Sequence, residues 1–442
     1  MERKKSTSFQ VVTTFGVKML VLFGSFIISI ILARALGPEG KGIVTAIFVV
    51  PNLIISLADL GVRQATTYFV GRKIYPLQDI LSSVMVMWLI TSIISLVVVS
   101  AYFFTGPSHV YGWGLLSIAL LTIPISLFNN YITGVLLGKE RIGVVNLSGL
   151  FSFIVNLFSL VLLVSIFHLG VHGAAITQVL VAFVLMIYGY FIVSKYAKFR
   201  FKSIQSIPME LTKKGISYAL ALFILNLNYR VDIILLERFT DTNEVGVYSV
   251  GVSLAELIWQ LPAAIGIVIF SKSATSLNEN EAIERSTRLL RITWLPLFLI
   301  CLLFWLLSPL MVSYLYGDEY IEAVSVIRWL LPGVLMMVLF KILNADLAGR
   351  GYPIFALHVY IITFLLNVVL NLVLIPREGM NGSAIASTIS YTVGAIIFGV
   401  VYARKSGIKI HTLFVLNRDD YNLLRNLFKQ LTLKARYSQR KI

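Results

Sequence analysis

The sequence predicts an all-α integral membrane protein of about twelve transmembrane helices, in two six-helix lobes related by a pseudo-twofold axis along the membrane normal. Three observations predict it. Of 442 residues, 58% are hydrophobic and 13% charged, with a mean hydropathy of +0.86; soluble domains carry about 25% charged residues. The apolar residues fall into long runs, each near the roughly 20 residues needed to cross hydrocarbon. The chain also repeats itself at an offset near 208.

Taken in order, the runs are 11–36, 42–69, 78–104, 111–137, 144–168, 172–195, 214–237, 244–270, 289–313, 322–347, 353–375 and 382–403. The first follows Arg3, Lys4 and Lys5 and is too long for a signal-peptide core, so it reads as a retained helix. Helices are the expected form because the bilayer offers the backbone no hydrogen-bond partner. Pro51, Pro124, Pro262, Pro296 and Pro332 fall inside the runs and mark expected bends.

The net charge of +16 is placed by topology and implies no nucleic-acid partner. One set of loops carries Arg72/Lys73, Lys139/Arg141, the stretch from Lys195 to Lys214, Arg285/Arg288 and Arg350, together with both termini. The other set carries Asp241/Glu244, Asp318/Glu319 and the near-neutral Arg377/Glu378. Basic loops stay cytoplasmic. Both termini are therefore expected inside the cytoplasmic membrane, which requires an even number of passes.

The repeat rests on ordered matches. Leu32-Ala33-Arg34 with Gly42 corresponds to Leu236-Glu237-Arg238 with Gly246 at 204, Pro124 to Pro332 at 208, Asn156 to Asn367 at 211, and Gly173 to Gly382 at 209. An offset of six helices gives a parallel repeat, the kind that builds alternating-access transporters with a site near the midplane. The basic connector containing Pro208 is the expected boundary between residues 1–205 and 206–405.

Three segments carry a family resemblance: Leu32-Ala33-Arg34-Ala35-Leu36-Gly37-Pro38-Glu39-Gly40-Lys41-Gly42, the pair Arg230-Val231-Asp232-Ile233-Ile234 and Glu244-Val245-Gly246-Val247-Tyr248, and the turn Leu347-Ala348-Gly349-Arg350-Gly351. Over roughly 10–405 the chain resembles the multidrug/oligosaccharidyl-lipid/polysaccharide exporter superfamily, and looks most like its polysaccharide flippase branch. The resemblance implies two lobes around a central cavity and ion-driven movement of an undecaprenyl-diphosphate-linked oligosaccharide to the outer leaflet. Lipid II flippases of the superfamily carry two further helices, and no further apolar run follows Ala403 here. A cation-coupled multidrug exporter is the alternative. An enzyme is not expected: no catalytic constellation or phosphate-cradling loop stands out, no cofactor is implied, and the histidines lack metal-ligand spacing.

Charges inside the apolar runs are the candidate site residues, because a charge at bilayer depth costs several kcal/mol unless it is paired or lines a wet cavity. Arg230, beside Asn226 and Asn228, is the foremost, since guanidinium binds phosphate oxygens bidentately; an internal ion pair is the other reading. Arg63, Lys18, Arg328 and Lys341 are further candidates for the diphosphate, with Lys18 and Arg328 also able to snorkel to an interface. Among acids, Glu256 lies deepest and is the expected ion-coupling group, with Asp59 and Asp232 beside it in that role. Asp59 and Arg63, spaced i,i+4, can equally neutralise each other. Arg34 and Arg238 read as interfacial anchors, Trp113 and Trp329 as belt residues. Residues 406–442 form a basic tail in which Tyr421, Leu424, Leu427, Phe428 and Leu431 recur at helical spacing. It suits the anionic inner leaflet, or docking on a polymerase or glycosyltransferase.

Overall fold

The computed structural model describes residues 7–106, 110–201, 206–276, 278–352, 354–416 and 420–421. Those residues form helices α1 (Thr7–Ala58), α2 (Val62–Arg72), α3 (Leu77–Phe104), α4 (Trp113–Gly138), α5 (Ile142–Leu160, continued by a π-turn Val161–Ile166) and α6 (Gly170–Val193). Then come α7 (Ser206–Phe239), α8 (Thr242–Leu257), α9 (Gln260–Thr275), α10 (Glu279–Tyr316), α11 (Ala323–Gly349) and α12 (Ile354–Ser406). Among the described residues there is no strand.

Eight helical stretches are individually long and apolar enough to cross a bilayer, and the bent pair α8–α9 makes a ninth. Two of the eight, Met19–Arg72 and Ile354–Ser406, have 54 and 53 residues. A straight helix of that length would run about 80 Å, more than twice the hydrocarbon thickness. Each instead breaks at one residue in a non-helical conformation, Gly37 (φ 66°) and Gly379 (φ 53°), and so supplies two passes. Such positive φ is the region glycine enters without a Cβ penalty. With α7 the passes are twelve, at the positions hydropathy assigns them.

The chain forms two compact units, residues 1–250 with 314–320 and residues 251–313 with 321–442. In the first unit, α3 and α4 carry the core. One cluster packs Ile47, Val99, Phe103, Leu116 and Ile123; a second packs Val62, Ile80, Met85, Tyr131 and Leu211. The connector after α6 is pinned to α3: the Gln78 carboxamide donates to the Lys198 carbonyl (2.7 Å) and accepts from its N–H (2.9 Å). In the second unit the Phe340 ring lies 4.3 Å from that of Phe398 and 4.6 Å from that of Tyr360. There too the arms of α12 are joined through buried polar groups, Ser383 Oγ donating to Asn371 Oδ1 (2.9 Å) and Asn371 donating to the Asn367 carbonyl (2.9 Å). In hydrocarbon such groups must find partners within the protein.

Two passes are broken midway in a manner hydropathy does not reveal. The second pass interrupts at residues 59–61 between α1 and α2, where Leu60 and Gly61 take positive φ (46° and 66°). The eighth interrupts at 258–259, with a 45° bend. The expected bend at Pro262 is realised here, because Pro262 sits in the first turn of α9, where a missing N–H costs nothing. The second and eighth passes occupy corresponding positions in the two repeats.

Candidate functional site

In the first unit the outer face of α1 beyond Gly37 and the middle of α7 enclose an open cavity of about 350 Å³. Thr45, Asn52 and Ser56 come from α1, and Asn226 and Arg230 from α7. Asn226 and Arg230 are one helical turn apart, so both side chains reach the same face. The Asn226 amide donates to Ser56 Oγ at 2.9 Å, tying the two walls together. Arg230 is half-buried. It lines the cavity together with the amides and hydroxyls of Asn52, Asn226, Thr45 and Ser56 and the apolar Phe48, Val49, Leu53 and Ile233. Asp232, two residues on, faces elsewhere: it is buried, and its carboxylate accepts from the Tyr248 hydroxyl (2.5 Å) and from the Ile233 N–H (2.8 Å).

Asp59 and Arg63 meet as their spacing allows. They flank the break in the second pass, where the Asp59 carboxylate is held by the Arg63 charge and by the Arg63 backbone N–H. Asp59 Oδ1 is buried and takes no hydrogen bond among the described residues. Lys18 lies on α1, and its side chain is outside the described residues.

In the second unit the break in the eighth pass brings Glu256 and Trp259 together with the sequence-distant Lys341. The Lys341 ammonium of α11 lies 4.6 Å from the centre of the Trp259 ring, which stands at the break itself. The Glu256 carboxylate acts on the same ammonium. The Trp259 ring is fixed by its N–H, donated to the Val334 carbonyl at 3.2 Å, and by an edge contact with Tyr391 at 5.6 Å. Discontinuous helices in corresponding repeat positions are a recurrent location for the sites of secondary transporters, and here Asp59 and Glu256 each stand within three residues of such a break.

Arg328 sits apart from these groups, toward the N-terminal end of α11. Its guanidinium lies 4.5 Å from the Trp305 ring centre, and its Nε donates to the Trp305 carbonyl at 3.4 Å. The anchoring residues prove to be helix fasteners. Arg34 donates to the Leu315 carbonyl (2.7 Å) and to the Tyr314 carbonyl, which closes the last turn of α10. Arg238 stacks over Tyr102 at 5.3 Å.

The sequence profile of the family described as "polysaccharide biosynthesis protein" matches residues 10–270, more than half of the chain. The chain belongs to the polysaccharide biosynthesis protein family. The profile of the MatE family also matches, over residues 218–373. Among curated relatives, this family member is 22% identical over 402 residues to an uncharacterised membrane protein of Methanocaldococcus jannaschii, MJ1375, a match covering 85% of this chain and 92% of that one. Among solved structures it resembles an inward-facing multidrug resistance MATE family transporter of the MOP superfamily (TM-score 0.71, 17% identity, 90% of this chain and 98% of that one). It equally resembles the lipid II flippase MurJ in an inward closed conformation (TM-score 0.71, 15% identity, 92% and 89%). The fold is thus that of the MOP superfamily.

Sequence reasoning missed one cluster in this polysaccharide biosynthesis protein. Asp346 is fully buried and accepts from Ser273 Oγ (2.6 Å), Ser286 Oγ (3.0 Å), Arg350 Nε (2.9 Å) and the Tyr402 hydroxyl (2.8 Å). Only the i,i+4 spacing of Asp346 and Arg350 was a signal for it. The start of the tail is fastened similarly, Asp420 receiving Arg291 Nε (2.5 Å) and Nη2 (3.1 Å). The expected tail helix falls on residues of which 417–419 and 422–442 lie outside the described residues.

Proposed function

We propose that the protein is a flippase that moves a polyisoprenyl-diphosphate-linked oligosaccharide, carried on undecaprenyl, from the inner to the outer leaflet of the cytoplasmic membrane. The observation that carries this reading is the cavity around Arg230. A guanidinium lining a cavity with Asn52, Ser56 and Asn226 offers bidentate, charge-assisted donors to a phosphate oxygen. Membership of the polysaccharide biosynthesis family supports the same cargo class.

The residue ranges 1–205 and 206–405 act as the alternating lobes in this reading, and both termini face the cytoplasm. Glu256 with Lys341, and Asp59 with Arg63, are the ion-coupling pairs. Protonating either acid releases its basic partner at a helix break, where a small rotation reorients a whole half-helix. Asp232, held by Tyr248, takes a positioning part by fixing α7 against α8.

The MatE match over 218–373 favours a second reading, a cation-coupled drug exporter. One experiment separates the two. Arg230→Ala is expected to abolish export of the cell's lipid-linked glycan while the protein inserts normally and drug sensitivity is unchanged. Undiminished export from that variant overturns the flippase reading, and a change in drug sensitivity alone favours the exporter.

A further inference from the structure

The second unit holds a cavity of about 1040 Å³ that the diphosphate chemistry does not use. It lies at the N-terminal end of α11, and its polar lining is Glu322, Ser325, Arg328 and Asn381, set between the indoles of Trp305 and Trp329. Both indoles are close to half exposed, at 43% and 50%, so large apolar faces are left open beside polar groups. The polar groups are held in fixed orientations. Arg328 lies over the Trp305 ring, 4.5 Å from its centre, and is tethered to the Trp305 carbonyl at 3.4 Å. The Ser325 hydroxyl lies 2.7 Å from both Asn381 Oδ1 and the Glu322 carbonyl oxygen, which holds the Asn381 amide beside the start of α11, where it offers both donors and an acceptor.

The chemistry differs from that around Arg230. An acid, a base, an amide and a hydroxyl in one lining have no net preference for an anion, and Glu322 repels one. What they supply is a ring of planar donors and acceptors matched to hydroxyl groups, with flat aromatic walls. A pyranose presents that complement: an apolar face of C–H bonds, polarised toward the electron-rich face of an indole, and equatorial hydroxyls that bridge planar polar side chains. The volume is at the upper end for small-molecule sites and accommodates more than one sugar ring. The repeat adds an independent argument. At the offset of 208 that relates Pro124 to Pro332, Arg328 and Trp329 correspond to Leu120 and Leu121. The polar and aromatic character at this position is thus particular to the second unit.

We propose that this cavity is a saccharide-binding site for one or two neutral pyranose rings. It extends the flippase reading by giving the glycan its own site, separate from the phosphate site, but its binding chemistry stands without transport. Arg328 is accordingly a sugar-contacting residue and not a phosphate ligand.

The test is direct binding to the purified full-length protein in detergent. Galactose, rhamnose, N-acetylglucosamine and maltose are titrated while tryptophan emission is followed, with inorganic pyrophosphate as the anionic probe. At least one sugar is expected to give a saturable change, and Trp329→Ala and Asn381→Ala each to weaken it by about tenfold with an unaltered melting curve. Trp329→Phe, which keeps an aromatic wall, retains binding. Arg230→Ala is expected to bind sugar as wild type while losing pyrophosphate. No saturable response to any of the sugars overturns the proposal, as does equal affinity in the Trp329 and Asn381 variants, or competition of pyrophosphate with the sugar. None of these outcomes bears on whether Arg230→Ala exports glycan, so the two readings fail separately.

Discussion

Asp346 and Arg230 show what a charge must do to survive in this fold. Asp346 is enclosed, and donors from α9, α10 and α12 converge on it with Arg350. Both carboxylate oxygens are used, so the ion pair is fully satisfied. Replacing Asp346 by Asn puts an amide nitrogen or a neutral oxygen against Arg350 and Tyr402 and leaves a buried guanidinium whose other acidic contact is Glu279 at 3.8 Å. Breaking a buried pair from one side costs about 3–5 kcal/mol. Asp346→Asn is therefore expected to lower the melting temperature in detergent markedly, while Glu281→Gln, which removes an exposed i,i+4 pair with Arg285, is expected to shift it little, exposed pairs contributing about 0–1 kcal/mol. Equal melting of the two variants would show that the cluster is not holding the four helices together. Arg230 differs in being a half-buried base that lines an open cavity with Thr45, Asn52 and Ser56, which is why it is proposed as a site residue and Asp346 as a structural one.

At the scale of elements, two helices of the first unit approach until side chains no longer fit between them. A Cβ at Gly42 would overlap the Thr242 carbonyl, and one at Gly246 would overlap the Pro38 carbonyl. The two glycines correspond in the repeat, so the crossing of α1 and α8 is pseudo-symmetric, each helix offering its glycine to the other's backbone. Gly42→Ala and Gly246→Ala are each expected to destabilise by about 1–3 kcal/mol, as overpacking does. The double variant is expected to fall short of the sum, since once the helices part the second methyl costs little. Thermal melting of the four proteins checks both statements, and strict additivity would mean that the two glycines serve separate contacts. This level of structure was partly legible in sequence. Hydropathy places the passes because every residue of a run votes for the bilayer, and the repeat pairs Gly42 with Gly246. The breaks at 59–61 and 258–259 were not legible, because they interrupt the backbone without interrupting the apolar run. Nor was the Asp346 cluster, whose serine and tyrosine donors lie 56 to 73 residues away. Arg230 stood out as a candidate for a simpler reason: an arginine in an apolar run announces itself wherever it faces, and of the two nearby asparagines Asn226 lines the same cavity.

For the whole molecule the decisive question is sidedness, because a cargo delivered outward requires the basic loops inside. On the proposed topology of twelve passes with both termini inside, Lys139 and Lys195 are expected in the cytoplasm and Asp241, Glu319 and Arg377 outside. All five side chains are exposed, and Cys301 is the sole cysteine and is buried. Cys301→Ala thus provides a background without thiols at small cost in packing. In that background a membrane-impermeant maleimide added to intact cells is expected to label Asp241→Cys, Glu319→Cys and Arg377→Cys, and to label Lys139→Cys and Lys195→Cys only after the cells are opened. The pattern is set by charge, since positive loops resist translocation, and by parity, since each pass inverts the side of the next loop. The two contributions fail differently. If the charge argument is wrong, all five positions exchange sides together. If a pass lying between two labelled positions is miscounted, only the positions beyond it exchange sides relative to those before it. Labelling of Lys139→Cys and Asp241→Cys from the same side would therefore locate the error between them, in the stretch where α7, the pass that composition alone supports least, joins the two repeats.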